Sequence, residues 1–292
     1  MQAIANWLVA RPQNAVVGLA VTLPLPLQLA GGVAMALIVL AHGWRQAAIE
    51  ALIAAMLVVA IFLVSGQTAA TAVGMLVVTW LPVMALVAVL VATRSVTMLM
   101  QLTVIAAVVG LLGFAVVVAD PELFWQPYLQ LLQEIFKERG LQVDATVMNA
   151  DVMTMSAVLA FWLLYSSCML LGYALYRGLP RDTAEFGRFR DMRYGQVIAL
   201  ATALAWLLSY VVESTVLQNI ASVLLVAFLM QGLALLHWMR HVEIIPVAAV
   251  IAVYALLPFL QVLLVMVLAV VGYTDAWIDF RRRFVKTKGP GT

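Results

Sequence analysis

A chain of 292 residues that is 65% hydrophobic and 10% charged, with a mean hydropathy of +1.07, lies far outside the range of a soluble domain, where about a quarter of residues are charged. That length admits roughly eight to ten membrane-crossing segments with short loops and one modest extramembrane element, which excludes a large soluble catalytic domain. The net charge of +2 is spread over short loops rather than gathered in a basic domain, so membrane lipid is an expected partner and nucleic acid is not.

The start, MQAIANWLVARPQ, has neither the basic opening nor the small-residue cleavage site of a signal peptide and reads as part of the mature chain. The apolar region 13–41 follows, with Pro24 and Pro26 near its middle in LPLPLQ. At about 29 residues it is long for one span and short for two. Clear spans are expected at about 46–64, 71–93 and 96–118.

The segment 119–151 is acidic and carries Asp120-Pro121, an N-cap and first-turn signature, with Gly140 as a stop. Phe124, Tyr128, Leu131, Leu132, Ile135 and Phe136 recur between them at helical spacing, which predicts an amphipathic helix over 121–139, kinked near Pro127, that lies on the outer membrane surface or caps the bundle. Spans at about 152–176, 194–212 and 216–239 come next, separated by the arginine-rich loop RGLPRDTAEFGRFRDMRYG. The last apolar region, 244–273, has Pro258 at its middle, and the tail DAWIDFRRRFVKTK pairs interfacial aromatics with basic residues.

Positive charge decides how the two proline-broken regions run, because Lys and Arg in short loops stay cytoplasmic. Read as hairpins, they leave fourteen basic residues inside and only Lys137 and Arg139 outside; read as single tilted spans they leave an even split. The expected fold is therefore an all-α, polytopic transmembrane helix bundle with hairpins near both ends and one amphipathic surface helix. It forms a single integral membrane domain with halves at 12–118 and 152–273, a periplasmic segment at 119–151 and a basic tail at 274–292. Both termini are expected in the cytoplasm of a bacterial inner membrane.

Ionisable and polar groups inside spans are costly, so they are the first functional candidates. Glu213, Gln218 and Asn219 cluster at an outer mouth and are ligand-pocket candidates, with the helix 121–139 as a lid. Glu50 lies one turn inside its span, within reach of Arg45 or Arg94. Gln231 and His237, on QGLALLHW, face different sides of one helix. Arg188, Arg190 and Arg193 in the inner loop, and Arg281, Arg282 and Arg283 in the tail, are candidates for contact with lipid phosphate or a protein partner. No GxSxG, HExxH or glycine-rich phosphate loop occurs, no histidine and carboxylate spacing suggests a metal site, and the lone Cys168 lies in an apolar run. Neither a catalytic residue nor a cofactor is expected.

LPLPLQLAGGVAMALIVLAHGWRQ near the start, QGLALLHW late and GYTDAWIDFRRR at the end resemble the YybS-like family of bacterial membrane proteins. That family in turn looks like the substrate-binding S components of energy-coupling-factor transporters, whose first two spans form a hairpin around a proline-containing outer turn. The likeness implies a substrate cavity opening outward and a role as a small-molecule binding or transport subunit. The alternative from another class is a membrane scaffold or accessory subunit that docks a protein through the arginine-rich loop and basic tail.

Overall fold

The computed structural model describes residues 1–22, 28–140 and 148–287, with side chains described as far as Phe284. Thirteen α-helices and no strand occur among them: α1 (Gln2–Ala10), α2 (Pro12–Thr22), α3 (Gln28–His42), α4 (Trp44–Val64), α5 (Ala69–Thr93), α6 (Val96–Val117), α7 (Pro121–Glu138), α8 (Ala150–Arg177), α9 (Gly195–Val212), α10 (Thr215–His241), α11 (Val247–Leu256), α12 (Gln261–Ile278) and α13 (Phe280–Thr287). Seven of these, α4, α5, α6, α8, α9, α10 and α12, are long and apolar enough to cross a membrane, and α3 and α11 are shorter apolar helices. The chain is an all-α, multi-pass membrane protein.

Helix ends follow local chemistry. The Asp120 side chain accepts from the Leu123 N–H at 3.0 Å with Pro121 in the first turn of α7, and Thr68 caps α5 through the Thr71 N–H at 3.2 Å. Gly43 joins α3 to α4 with φ +78°, a left-handed conformation that glycine adopts without cost, so the chain reverses within one residue. The prolines of LPLPLQ, at positions 24 and 26, lie outside the described residues. On either side of them α2 and α3 run back along each other: Gly31 faces the Thr22 side chain, and His42 at the far end of α3 meets Val9, just before α2 begins. The first proline-broken region is thus a hairpin. Arg11 is extended and Pro12 opens α2, so α1 does not lengthen the first arm. It folds against that arm, with Leu8 packed over Gly18 and the Asn14 amide bonded to the Trp7 carbonyl at 2.7 Å.

The chain forms two compact units, one comprising residues 1–99 and 163–187, the other 100–162 and 188–292. In the first, α3 is the core. Its residues Ala34 to Val39 are buried, and Gly32 and Ala36 meet Cys168 and Gly172 of α8 so closely that a Cβ on either glycine would collide. Cys168 is a small packing residue here, with its sulfur 3.6 Å from the Leu29 carbonyl. The outward faces of α4 and α5 expose Leu52 and Leu81, a lipid-facing surface.

In the second unit α10 is the centre: 67% of its most apolar window is buried, against 22–33% for the other long helices. A Cβ on Gly232 would strike the Leu268 backbone and one on Gly272 the Phe228 backbone, so α10 and α12 cross with main chains in contact. Helix α12 runs through Asp275 to Ile278, five residues past the expected end of the apolar region. Helix α7 has no buried residue; Trp125 anchors its start, donating to Thr154 at 2.8 Å and packing edge-on to Phe124, while Leu123, Tyr128 and Leu131 remain exposed along its apolar side.

Candidate functional site

The outer-mouth residues lie where α9 gives way to α10. Glu213 ends α9 in a left-handed conformation and is exposed, as is Gln218, while half-buried Asn219 reaches the Asp151 carbonyl at 3.5 Å. No hydrogen bond joins α7 to any of these three among the described residues.

Within the first unit, Glu50 is buried and its carboxylate meets His42 Nδ1 at 2.9 and 3.0 Å and accepts from the Gln46 amide at 3.0 Å. Its partners are these two rather than Arg45 or Arg94. His42 Nε2 lies 3.1 Å from the Val9 carbonyl oxygen, so the ring bridges that carbonyl and the Glu50 carboxylate. The pair ties the 42–44 turn to α1 and α4. Arg181 donates to the Ala41 carbonyl at 3.1 Å and Gln2 to Leu175 at 3.3 Å, which gathers the amino terminus, the Gly43 turn and the end of α8 at one end of this unit.

The second unit holds a denser arrangement, built where QGLALLHW and GYTDAWIDFRRR meet. Gln231 is fully buried. Its Oε1 accepts from the Tyr194 N–H at 2.8 Å and its Nε2 donates to Asp275 Oδ2 at 2.9 Å. The other Asp275 oxygen accepts from the Phe280 N–H at 3.1 Å, which turns the chain from α12 into α13. Arg281 is 4% exposed, lies 3.9 Å from Asp275 Oδ2 and donates to the Met192 carbonyl at 3.1 Å. Gln101 of α6 donates to the Tyr194 carbonyl at 2.9 Å, so residues 192–194 are held by three side chains from three helices.

Charge completes the picture. Arg193 pairs with Asp279 at 2.8 Å, and Asp279 also accepts from the Arg282 N–H at 3.3 Å. Arg283 donates to the Ile278 carbonyl at 3.1 Å. Because the tail and residues 192–194 occupy one end of this unit, the chain from α11 to α12 must return to the side it left, so the second proline-broken region is also a hairpin. Burial lowers the Arg281 guanidinium from its ordinary pKa, with Asp275 opposing and Arg193 reinforcing that shift. Burial likewise pushes the Tyr194 hydroxyl well up.

Beside this network opens a cleft of about 480 Å³, lined by Arg193, Arg282, Arg283, Gln231, Asp275 and Asp279 among others. His237 stands apart from it: its Nε2 lies 3.0 Å from the Tyr254 hydroxyl and its ring packs edge-on to Phe189. Arg188 is exposed and Arg190 half-buried, both outside the lining. Asp275, Asp279, Tyr194 and Gln101 were not singled out by the sequence; the one available signal was the carboxylate pair in TDAWID, which reads as tail. Among the described residues no group of three or more His, Cys, Asp or Glu side chains is placed to hold a metal ion. Known protein families, curated proteins and solved structures contain no match to this chain.

Proposed function

We propose that this protein is a non-enzymatic, small-molecule binding or transport subunit of a bacterial inner membrane, with both termini cytoplasmic, of the YybS-like type that resembles the energy-coupling-factor S components. The observation that carries the reading is the cleft over Gln231 and Asp275. Side chains from α10, α12, α13 and the loop before α9 converge on a space of about 480 Å³, and two buried polar groups floor it. Buried polar groups in a membrane protein are expensive, which makes them functional-site candidates by default. The binding position favoured by this arrangement is the tail end of the second unit rather than the mouth at Glu213. The positive-inside count supports placing that end in the cytoplasm.

The test is retention of a small molecule by the full-length protein through mild detergent purification, read by native mass spectrometry. The proposal expects a stoichiometric adduct that Gln231→Leu abolishes. A second reading, docking of a cytoplasmic protein, is favoured by one observation: Arg188 is exposed and outside the cleft. That reading expects a stoichiometric protein to co-purify and to be lost in Arg188→Ala, with no small-molecule adduct.

A further inference from the structure

We propose that the cleft of the second unit takes a phosphate group, as a free phosphate or as the headgroup of a phospholipid, held by Arg193, Arg282 and Arg283; the inference rests on the binding role just proposed. Three guanidinium groups from two distant stretches of chain line one space. The two lining carboxylates are already committed. Asp275 accepts from Gln231 and from the Phe280 N–H, and Asp279 accepts from Arg193 and the Arg282 N–H. A cationic ligand would have to displace those bonds, whereas an anion meets Arg193 and Arg282, whose five N–H donors each exceed what the shared Asp279 carboxylate absorbs.

A second observation points the same way. Arg281 is 4% exposed, yet its Nε and one terminal nitrogen have no hydrogen-bond partner, and its nearest carboxylate oxygen is 3.9 Å away. A buried guanidinium with unmet donors is costly to keep, and it stands next in the chain to the lining Arg282. Planar guanidinium forks match the oxygens of a tetrahedral phosphate two at a time, and several together suit a group carrying up to two charges better than a single carboxylate would. The cleft also contains Trp277, which is 44% exposed, an amphipathic ring of the kind that sits at headgroup level.

The experiment uses the delipidated full-length protein in a non-ionic detergent. In one arm, inorganic phosphate is titrated against chloride at constant ionic strength and thermal unfolding is followed. In the other, phosphatidylglycerol and diacylglycerol of the same chains are offered and the lipid retained is read by native mass spectrometry. A free-phosphate site raises the unfolding midpoint by about 2–4 °C. A headgroup site retains phosphatidylglycerol and not diacylglycerol. Either response should vanish in Arg282→Gln/Arg283→Gln and persist in Arg188→Gln. Should the double glutamine variant fail to fold, Arg282→Lys/Arg283→Lys keeps the charge and removes the fork, and is expected to weaken binding about tenfold. Absence of both responses, or responses equal in the cleft variants and the parent, overturns the proposal. A cleft-dependent adduct that contains no phosphorus overturns it while leaving the binding role intact.

Discussion

The hydroxyl of Tyr165, on α8, donates a 2.7 Å hydrogen bond to the carbonyl of Val78, on α5. Four residues beyond Val78 stands Pro82, inside α5, which has no N–H to return to that carbonyl. In a bilayer no water replaces the missing donor, so the phenol of a neighbouring helix completes the ladder. Tyr165→Phe should therefore cost about 1–3 kcal/mol, the penalty of one unpaired buried polar group. Unfolding in detergent measures it, and the loss should shrink in a Pro82→Ala background, where the helix can supply its own bond. Equal losses in both backgrounds would refute the pairing.

The glycines separate into those that meet another backbone and those that do not. Gly232→Ala places a methyl against the Leu268 carbonyl, and overpacking of this kind costs about 1–3 kcal/mol or more because main chain cannot swing aside. Gly110→Ala, in α6, meets nothing within 4 Å and should be neutral or stabilising by up to about 1 kcal/mol. Thermal midpoints of the two variants should move in opposite directions or differ by at least several degrees.

Asp275 and Arg281 form a second testable pair. Asp275→Leu leaves Arg281 buried beside an apolar side chain and removes the acceptor for Gln231 and for the Phe280 N–H, so a loss of about 3–5 kcal/mol is expected. Asp275→Leu/Arg281→Met removes the stranded charge as well and should recover part of it. A double-mutant cycle on unfolding free energies gives the coupling; additivity would mean that the two side chains act separately.

Placement of the hairpin turns is open to chemical labelling. In a Cys168→Ala background, Gln28→Cys should react with an impermeant thiol reagent in intact cells, and Arg188→Cys only after the membrane is opened. The reverse pattern would invert the proposed orientation.

The six spans expected from apolar length all form helices within two residues of the expected ends, because a run of about 20 apolar residues has few alternatives in lipid. The surface helix was equally legible, since its capping residue and its apolar spacing are both local. What escaped were relationships between distant residues. Gln231 stood out as a polar group in a span, but its partners Tyr194 and Asp275 are 37 and 44 residues away, and nothing in the chain marks them as neighbours. Asp275 looked like the start of a tail; α12 continues past it because Gln231 and the Phe280 N–H satisfy its carboxylate in place of water. His42 and Glu50, eight apart, meet only because Gly43 reverses the chain between them, a spacing that helical periodicity does not suggest.

The division of the chain between its units bears on how the protein comes to be made. Helices α6 and α8 each contribute one portion to the first unit and the other to the second, so neither unit corresponds to an uninterrupted length of chain. During synthesis the first unit lacks its α8 wall, with Cys168 and Gly172, until α8 itself has been inserted, and α3 must wait beside an open groove. Helix α13, made after every other described helix, carries Arg281, which donates to the Met192 carbonyl within the second unit. The second unit therefore completes its hold on residues 192–194 only once α13 has been made.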